Sequence, residues 1–124
     1  MIDSILFLLA LLFIKHWYVD FVDQTNEEVA SKGIYGDGPG LGHSIKHGIG
    51  TFFAILAVTG YPYIAFAALL MFFDFVTHYH IDWLKVNINR VYGWTSKQMA
   101  YWVLFGADQY LHMLTYLLLV YLFV

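Results

Sequence analysis

The chain has 124 residues, of which 60% are hydrophobic, 20% aromatic and only 12% charged, with a formal net charge of −3. Such an apolar composition excludes an ordinary soluble domain and reads as a membrane protein with one compact domain. Six basic residues are too few for a nucleic-acid surface, and the absence of cysteine excludes disulfides and thiolate metal sites.

The predicted architecture is all-α: an integral membrane bundle of four transmembrane helices in one domain, with spans at about 2–23, 43–60, 62–86 and 97–124. Met1 to Ile14 could pass for a signal peptide, but it carries Asp3 in place of a basic n-region and no small-residue cleavage site follows. It reads as a retained membrane helix. Thr25 to Gly42 reads as a connecting loop with a short interfacial helix begun at Asn26, and Gly36, Gly38, Pro39, Gly40 and Gly42 argue against regular structure after it. Gly60-Tyr-Pro62 predicts a tight turn, with Pro62 suited to the first turn of the third helix. Asn87 to Ser96 reads as a polar connection, and Thr95 or Ser96 as the cap of the fourth helix.

Each span can cover a hydrocarbon layer of ~30 Å, which takes about 20 residues, so both termini fall on one side. All six basic residues, Lys15, Lys32, Lys46, Lys85, Arg90 and Lys97, lie at or near the connections between spans one and two and between spans three and four. The positive-inside rule makes that side cytoplasmic and both termini non-cytoplasmic. Trp17, Trp83, Trp94 and Trp102 cluster there as interfacial anchors would.

Every span carries polar residues four apart, hence on one helix face: His16 and Asp20, His43 and His47, Asp74, His78 and Asp82, Asp108 and His112. The antiparallel order brings all four motifs to the cytoplasmic half of the bundle. Ionisable groups inside a membrane are costly, at least about 2.5–3.5 kcal/mol each at mid-bilayer, and a cation held between the helices would compensate them. The expected metal ligands are His16, Asp20, His47, His78, Asp82, Asp108 and His112. Nitrogen and oxygen donors without thiolate suit one or two divalent ions, zinc first, then manganese or iron. A polar helix–helix glue or a proton relay is the plainer reading of any one such pair.

His80 should face away from His78, and His43, at the expected helix start, reads as a capping or loop histidine. Asp23, Gln24, Glu27 and Glu28 read as a solvated face. Lys32 and Lys85 could steady an anionic substrate or simply snorkel to the membrane boundary.

His16-Trp-Tyr-Val-Asp20-Phe-Val-Asp-Gln24 with Lys32, then His78-x3-Asp82-x2-Lys85 and Asp108-Gln109-x2-His112, resembles the ordered motifs of a small bacterial and phage membrane family known as domain of unknown function 3307. The resemblance covers nearly the whole chain and implies a small helical membrane protein, with Gln24, Lys32, Lys85 and Gln109 as further site residues. It implies no activity.

The leading expectation is a metal-dependent hydrolase in the bacterial inner (plasma) membrane, its site facing the cytoplasm, with Asp74, Lys85 and Lys32 in catalytic roles. An anionic or lipid-linked substrate suits that place, and a homo-oligomer is compatible with it. The alternatives are a di-iron oxidase, a metal or proton transporter, and a small subunit of a membrane assembly.

Overall fold

The computed structural model describes residues 1–124 and contains helices and turns but no strands. The helices are α1 (Ile2–Trp17), continued by a π-helical turn at Tyr18–Val22, α2 (Asn26–Ser31), α3 (Gly38–Thr59), α4 (Ile64–Tyr92) and α5 (Met99–Phe123). Three helical stretches are long and apolar enough to cross a membrane: Ile2–Val22, Tyr61–Tyr92 and Met99–Phe123. The other long helix, α3, carries His43, Ser44, Lys46, His47, Gly48 and Gly50 in its first half, which lowers its hydropathy.

Several predicted boundaries shift. The glycine-rich stretch does not forbid a helix: α3 begins at Gly38, with Pro39 in its first turn, where a missing N–H costs nothing. Gly40 belongs there because a Cβ would sit 3.2 Å from the Ser31 carbonyl oxygen, and its N–H donates to Ser31 Oγ at 2.7 Å. α4 runs beyond Val86 to Tyr92 and stops at Gly93, whose φ of 67° is the left-handed C-terminal conformation that glycine adopts without strain. The fourth helix starts at Met99, because Thr95 folds into a turn with Gln98, its N–H and Oγ1 both donating to Gln98 Oε1. Neither Thr95 nor Ser96 is its cap.

Around the bundle the order is α1, α3, α4, α5, each packing against its two neighbours, with α2 lying on α3. One inward stripe with helical spacing runs along each long helix and changes character halfway. Leu8 and Leu12 lead to His16 and Asp20, His43 and His47 to Thr51 and Ile55, Ala67 and Leu70 to Asp74, His78 and Asp82, and Asp108 and His112 to Tyr116 and Leu119. Antiparallel packing therefore puts a closed apolar core at one end and a polar core at the other. Leu6, Phe7, Phe53, Leu69, Phe72, Leu117 and Tyr121 face outward, as a lipid-embedded surface requires.

Apolar burial does not drive helices together in lipid, so close backbone approach has to supply packing energy. Gly48 provides it: a Cβ there would lie 2.9 Å from the Met71 carbonyl oxygen of α4.

Candidate metal centre

Four histidines, His43, His47, His78 and His112, are at most 1% exposed in the polar core, packed among Asp20, Asp82 and Asp108. Two groups of donor atoms converge there, each within 4.8 Å: Asp20, His43, His47 and His78 in one, and His78, Asp82 and His112 in the other. His78 joins them and is stacked between His47 and His112, with ring centroids 3.5 and 4.1 Å away.

The π-helical turn of α1 carries Asp20 into this cluster. Such turns disturb an α-helix locally and recur at functional sites. Asp20 Oδ1 lies 2.7 Å from His47 Nε2, 2.9 Å from His43 Nε2 and 3.7 Å from His78 Nε2. Asp82 lies 3.2 Å from His78 Nε2 through Oδ2 and 3.1 Å from His112 Nε2 through Oδ1. Asp108 Oδ1 is 3.3 Å from His112 Nε2.

His47 Nε2 is hydrogen-bonded to Asp20 Oδ1 and His112 Nε2 to Asp82 Oδ1, but the other close contacts are not hydrogen bonds. His43 Nε2, both nitrogens of His78, Asp82 Oδ2 and Asp108 Oδ1 are buried without any hydrogen-bond partner. Their separations come close to the edge of a tetrahedron of donors around an ion with bonds of about 2.0–2.1 Å, roughly 3.3 Å. Orphaned buried donors of this kind need an explanation, and an ion is one.

The outer partners fit the same arrangement. His43 Nδ1 lies 3.2 Å from Glu28 Oε2, the carboxylate–histidine pairing that orients a metal-ligating imidazole. Glu28 is held by a reciprocal cap with Thr25 and by Lys46 Nζ at 2.7 Å. Burial alone would raise the Glu28 pKa, but Lys46, the Thr25 backbone and His43 hold it below the usual carboxylate value. Lys32 Nζ is 3.2 Å from Asp82 Oδ2, and Lys85 Nζ is 3.0 Å from Asp108 Oδ2. No lysine lies within 4 Å of Asp20; the ionisable groups in contact with its carboxylate are histidines.

Of the predicted ligands, Asp20, His47, His78, Asp82 and His112 fall in the two donor groups. His16 and Asp108 flank them. His16 lies 3.2 Å from Asp20 Oδ2 and is turned toward Gln109 Oε1 and the Tyr116 hydroxyl. Asp74 is one helical turn away, where Lys15 Nζ at 2.8 Å and Thr51 Oγ1 at 2.5 Å both donate to its Oδ2. His80 is exposed and bonds to the Val76 carbonyl and Tyr35, away from the cluster.

Two readings need correction. His43 is no loop or capping residue; α3 begins a turn and a half earlier, and His43 is fully buried in the first donor group. Glu28 is no part of a solvated face; α2 folds onto α3 and turns it toward His43. The His43-x3-His47 spacing carried the first signal, and nothing local carried the second.

No curated protein and no solved structure matches the chain. The family model described as "Protein of unknown function (DUF3307)" matches residues 8–124, so the chain that builds this polar core belongs to that family.

Proposed function

We propose that the chain is a membrane-embedded metal-binding protein, a metal-dependent hydrolase whose centre lies toward the cytoplasmic leaflet of a bacterial inner membrane. In this reading all four long helices cross the bilayer, and residues 1 and 124 lie on the non-cytoplasmic side. The observation that carries the metal is the set of orphaned buried donors on His43, His78 and Asp82. Asp20 adds to it as a buried carboxylate with no lysine in contact, which is costly without a compensating cation.

A divalent ion, zinc before manganese or iron, supplies a water with pKa lowered toward ~7 and polarises the bond to be cleaved. Asp20, His43, His47, His78, Asp82 and His112 hold one or two such ions. Asp108, with Oδ1 free of hydrogen bonds, takes the role of general base. Asp74 keeps Lys15 in place beneath the centre, and Lys32 and Lys85 face an anionic substrate. Histidine and carboxylate donors on facing helices are also the donor set of oxygen-activating di-iron centres.

Elemental analysis of protein purified in detergent tests the reading. At least one divalent ion per chain is expected, lost in His78→Ala and in Asp20→Asn. Iron with a visible oxo charge-transfer band would select the oxidase. A metal-free protein that takes up no ion when supplied would end both.

A further inference from the structure

Beside the centre, between the end of α2, α4 and the first turns of α5, lies a cavity of about 410 Å³. That volume is within the range of small-molecule sites. Its wall combines three kinds of group. Lys32 and Lys85 are the cations, and each also holds a carboxylate of the centre, Asp82 and Asp108. Gln24 Oε1 and Asn89 Oδ1 are buried acceptors with no hydrogen-bond partner. Tyr101 and Phe105 are apolar.

Charge counting sets the sign of the occupant. Histidines that ligate a metal are neutral there. Asp20, Asp82 and Asp108 against Lys32 and Lys85 leave one negative charge, so a single divalent ion leaves one positive charge. The Lys15–Asp74 pair adds nothing, and Lys46 with Glu28 and Asp23 forms a group at the exposed end, where water screens its charge. A buried surplus charge calls for a counter-ion. With one ion bound, a monoanion in the cavity closes the balance, and the orphaned amide oxygens call for hydrogen-bond donors on the same molecule.

We infer that this cavity binds a phosphodiester monoanion whose polar head carries hydroxyl donors, with the phosphoryl group toward Lys32 and Lys85 and the donors on Gln24 and Asn89. The inference rests on the metal reading above. The cavity opens at the polar end of the bundle, and its aromatic wall suits the glycerol and upper acyl region of a lipid. A soluble head of the same chemistry would meet the same groups.

Native mass spectrometry of the zinc-loaded protein in detergent reads metal and adduct together. The probes are phosphatidylglycerol, a monoanion whose head carries hydroxyl donors, phosphatidylethanolamine and phosphatidylcholine, whose cationic nitrogen cancels the phosphate charge, and glycerophosphoglycerol, the soluble head. The expected result is retention of phosphatidylglycerol over phosphatidylethanolamine and phosphatidylcholine. Gln24→Leu and Asn89→Leu should each cut that preference by about three- to tenfold, with zinc unchanged. Asn89→Leu serves alone if Gln24→Leu, which also loses a bond to the Asp20 carbonyl, lowers the melting temperature. Retention of glycerophosphoglycerol as strong as that of the lipid assigns the site to a soluble diester, and weaker retention assigns it to a lipid. Equal retention of all three lipids, or a preference untouched by both variants, overturns the inference while zinc stays bound. Absence of zinc overturns the metal reading instead.

Discussion

Lys15 Nζ lies 2.8 Å from Asp74 Oδ2 inside the bundle and 3.4 Å from His47 Nδ1, at the edge of the histidine cluster. Both side chains are nearly inaccessible, at 8% and 1%. The pair resolves the electrostatic problem of Asp74 within the chain itself, since the Tyr116 hydroxyl and Thr51 Oγ1 complete its hydrogen bonds. Gly50 makes room for it, because a Cβ at that position would collide with the Lys15 stem.

Breaking one side of such a pair leaves an uncompensated buried charge, at a cost of about 3–5 kcal/mol. Lys15→Met and Asp74→Asn should therefore each destabilise the protein by that order, and the double variant by clearly less than their sum. Unfolding in detergent, read as a double-mutant cycle, measures the coupling. Additive losses would mean that the two charges do not sense each other.

The Glu28–His43 contact makes a separate prediction. Partners that orient a metal-bound histidine change affinity by about 10–100-fold when removed. Glu28→Gln should weaken zinc binding by that factor in a chelator competition. Glu27→Gln, on the exposed side of α2, should leave it unchanged. Equal affinities in both variants would assign Glu28 to the cap of α2 alone.

Much of the site was legible because helical periodicity survives any detail of packing. Residues four apart share a face whether a helix is lipid-exposed or buried, so Asp20, His47, His78, Asp82 and His112 could be read from spacing and topology together. Lys15 could not, because a lysine near a span's end looks the same whether it snorkels or turns inward. Here the absence of a side chain at Gly50, distant in sequence, lets it turn inward. The place of His43 is hidden for a local reason: four glycines and a proline look like a loop, whereas Pro39 sits in the first turn of α3 and Gly40 fits a tight contact with Ser31. Glu28 depends on how α2 docks, which is tertiary information.

Two glycines separate packing from propensity. At Gly48 an added Cβ meets the Met71 carbonyl at 2.9 Å and Phe75 Cβ at 3.3 Å, so Gly48→Ala must push α3 and α4 apart. Overpacking of that kind costs about 1–3 kcal/mol. At Gly106 in α5 nothing lies within 4 Å, and Gly106→Ala should stabilise by up to about 1 kcal/mol through helix propensity. Melting temperatures that fall for the first and rise for the second confirm the tight α3–α4 contact. A rise for both would show that the helices can separate at no cost.

Topology is open to a clean test because the chain has no cysteine. If α3 crosses the bilayer, the α1–α3 connection and the turn at Tyr61–Tyr63 lie on opposite sides. Asn26 and Tyr61 are both exposed, so Asn26→Cys and Tyr61→Cys each offer one reactive thiol. The basic residues Lys32, Lys46, Lys85, Arg90 and Lys97 gather at the end of the bundle that carries Asn26, the end that the proposed orientation puts in the cytoplasm. A membrane-impermeant maleimide should label Tyr61→Cys in spheroplasts and Asn26→Cys only in inverted vesicles. Labelling of both from the same side would keep α3 from spanning and leave a three-span protein, with the polar half of α3 lying against the other helices rather than passing through the membrane.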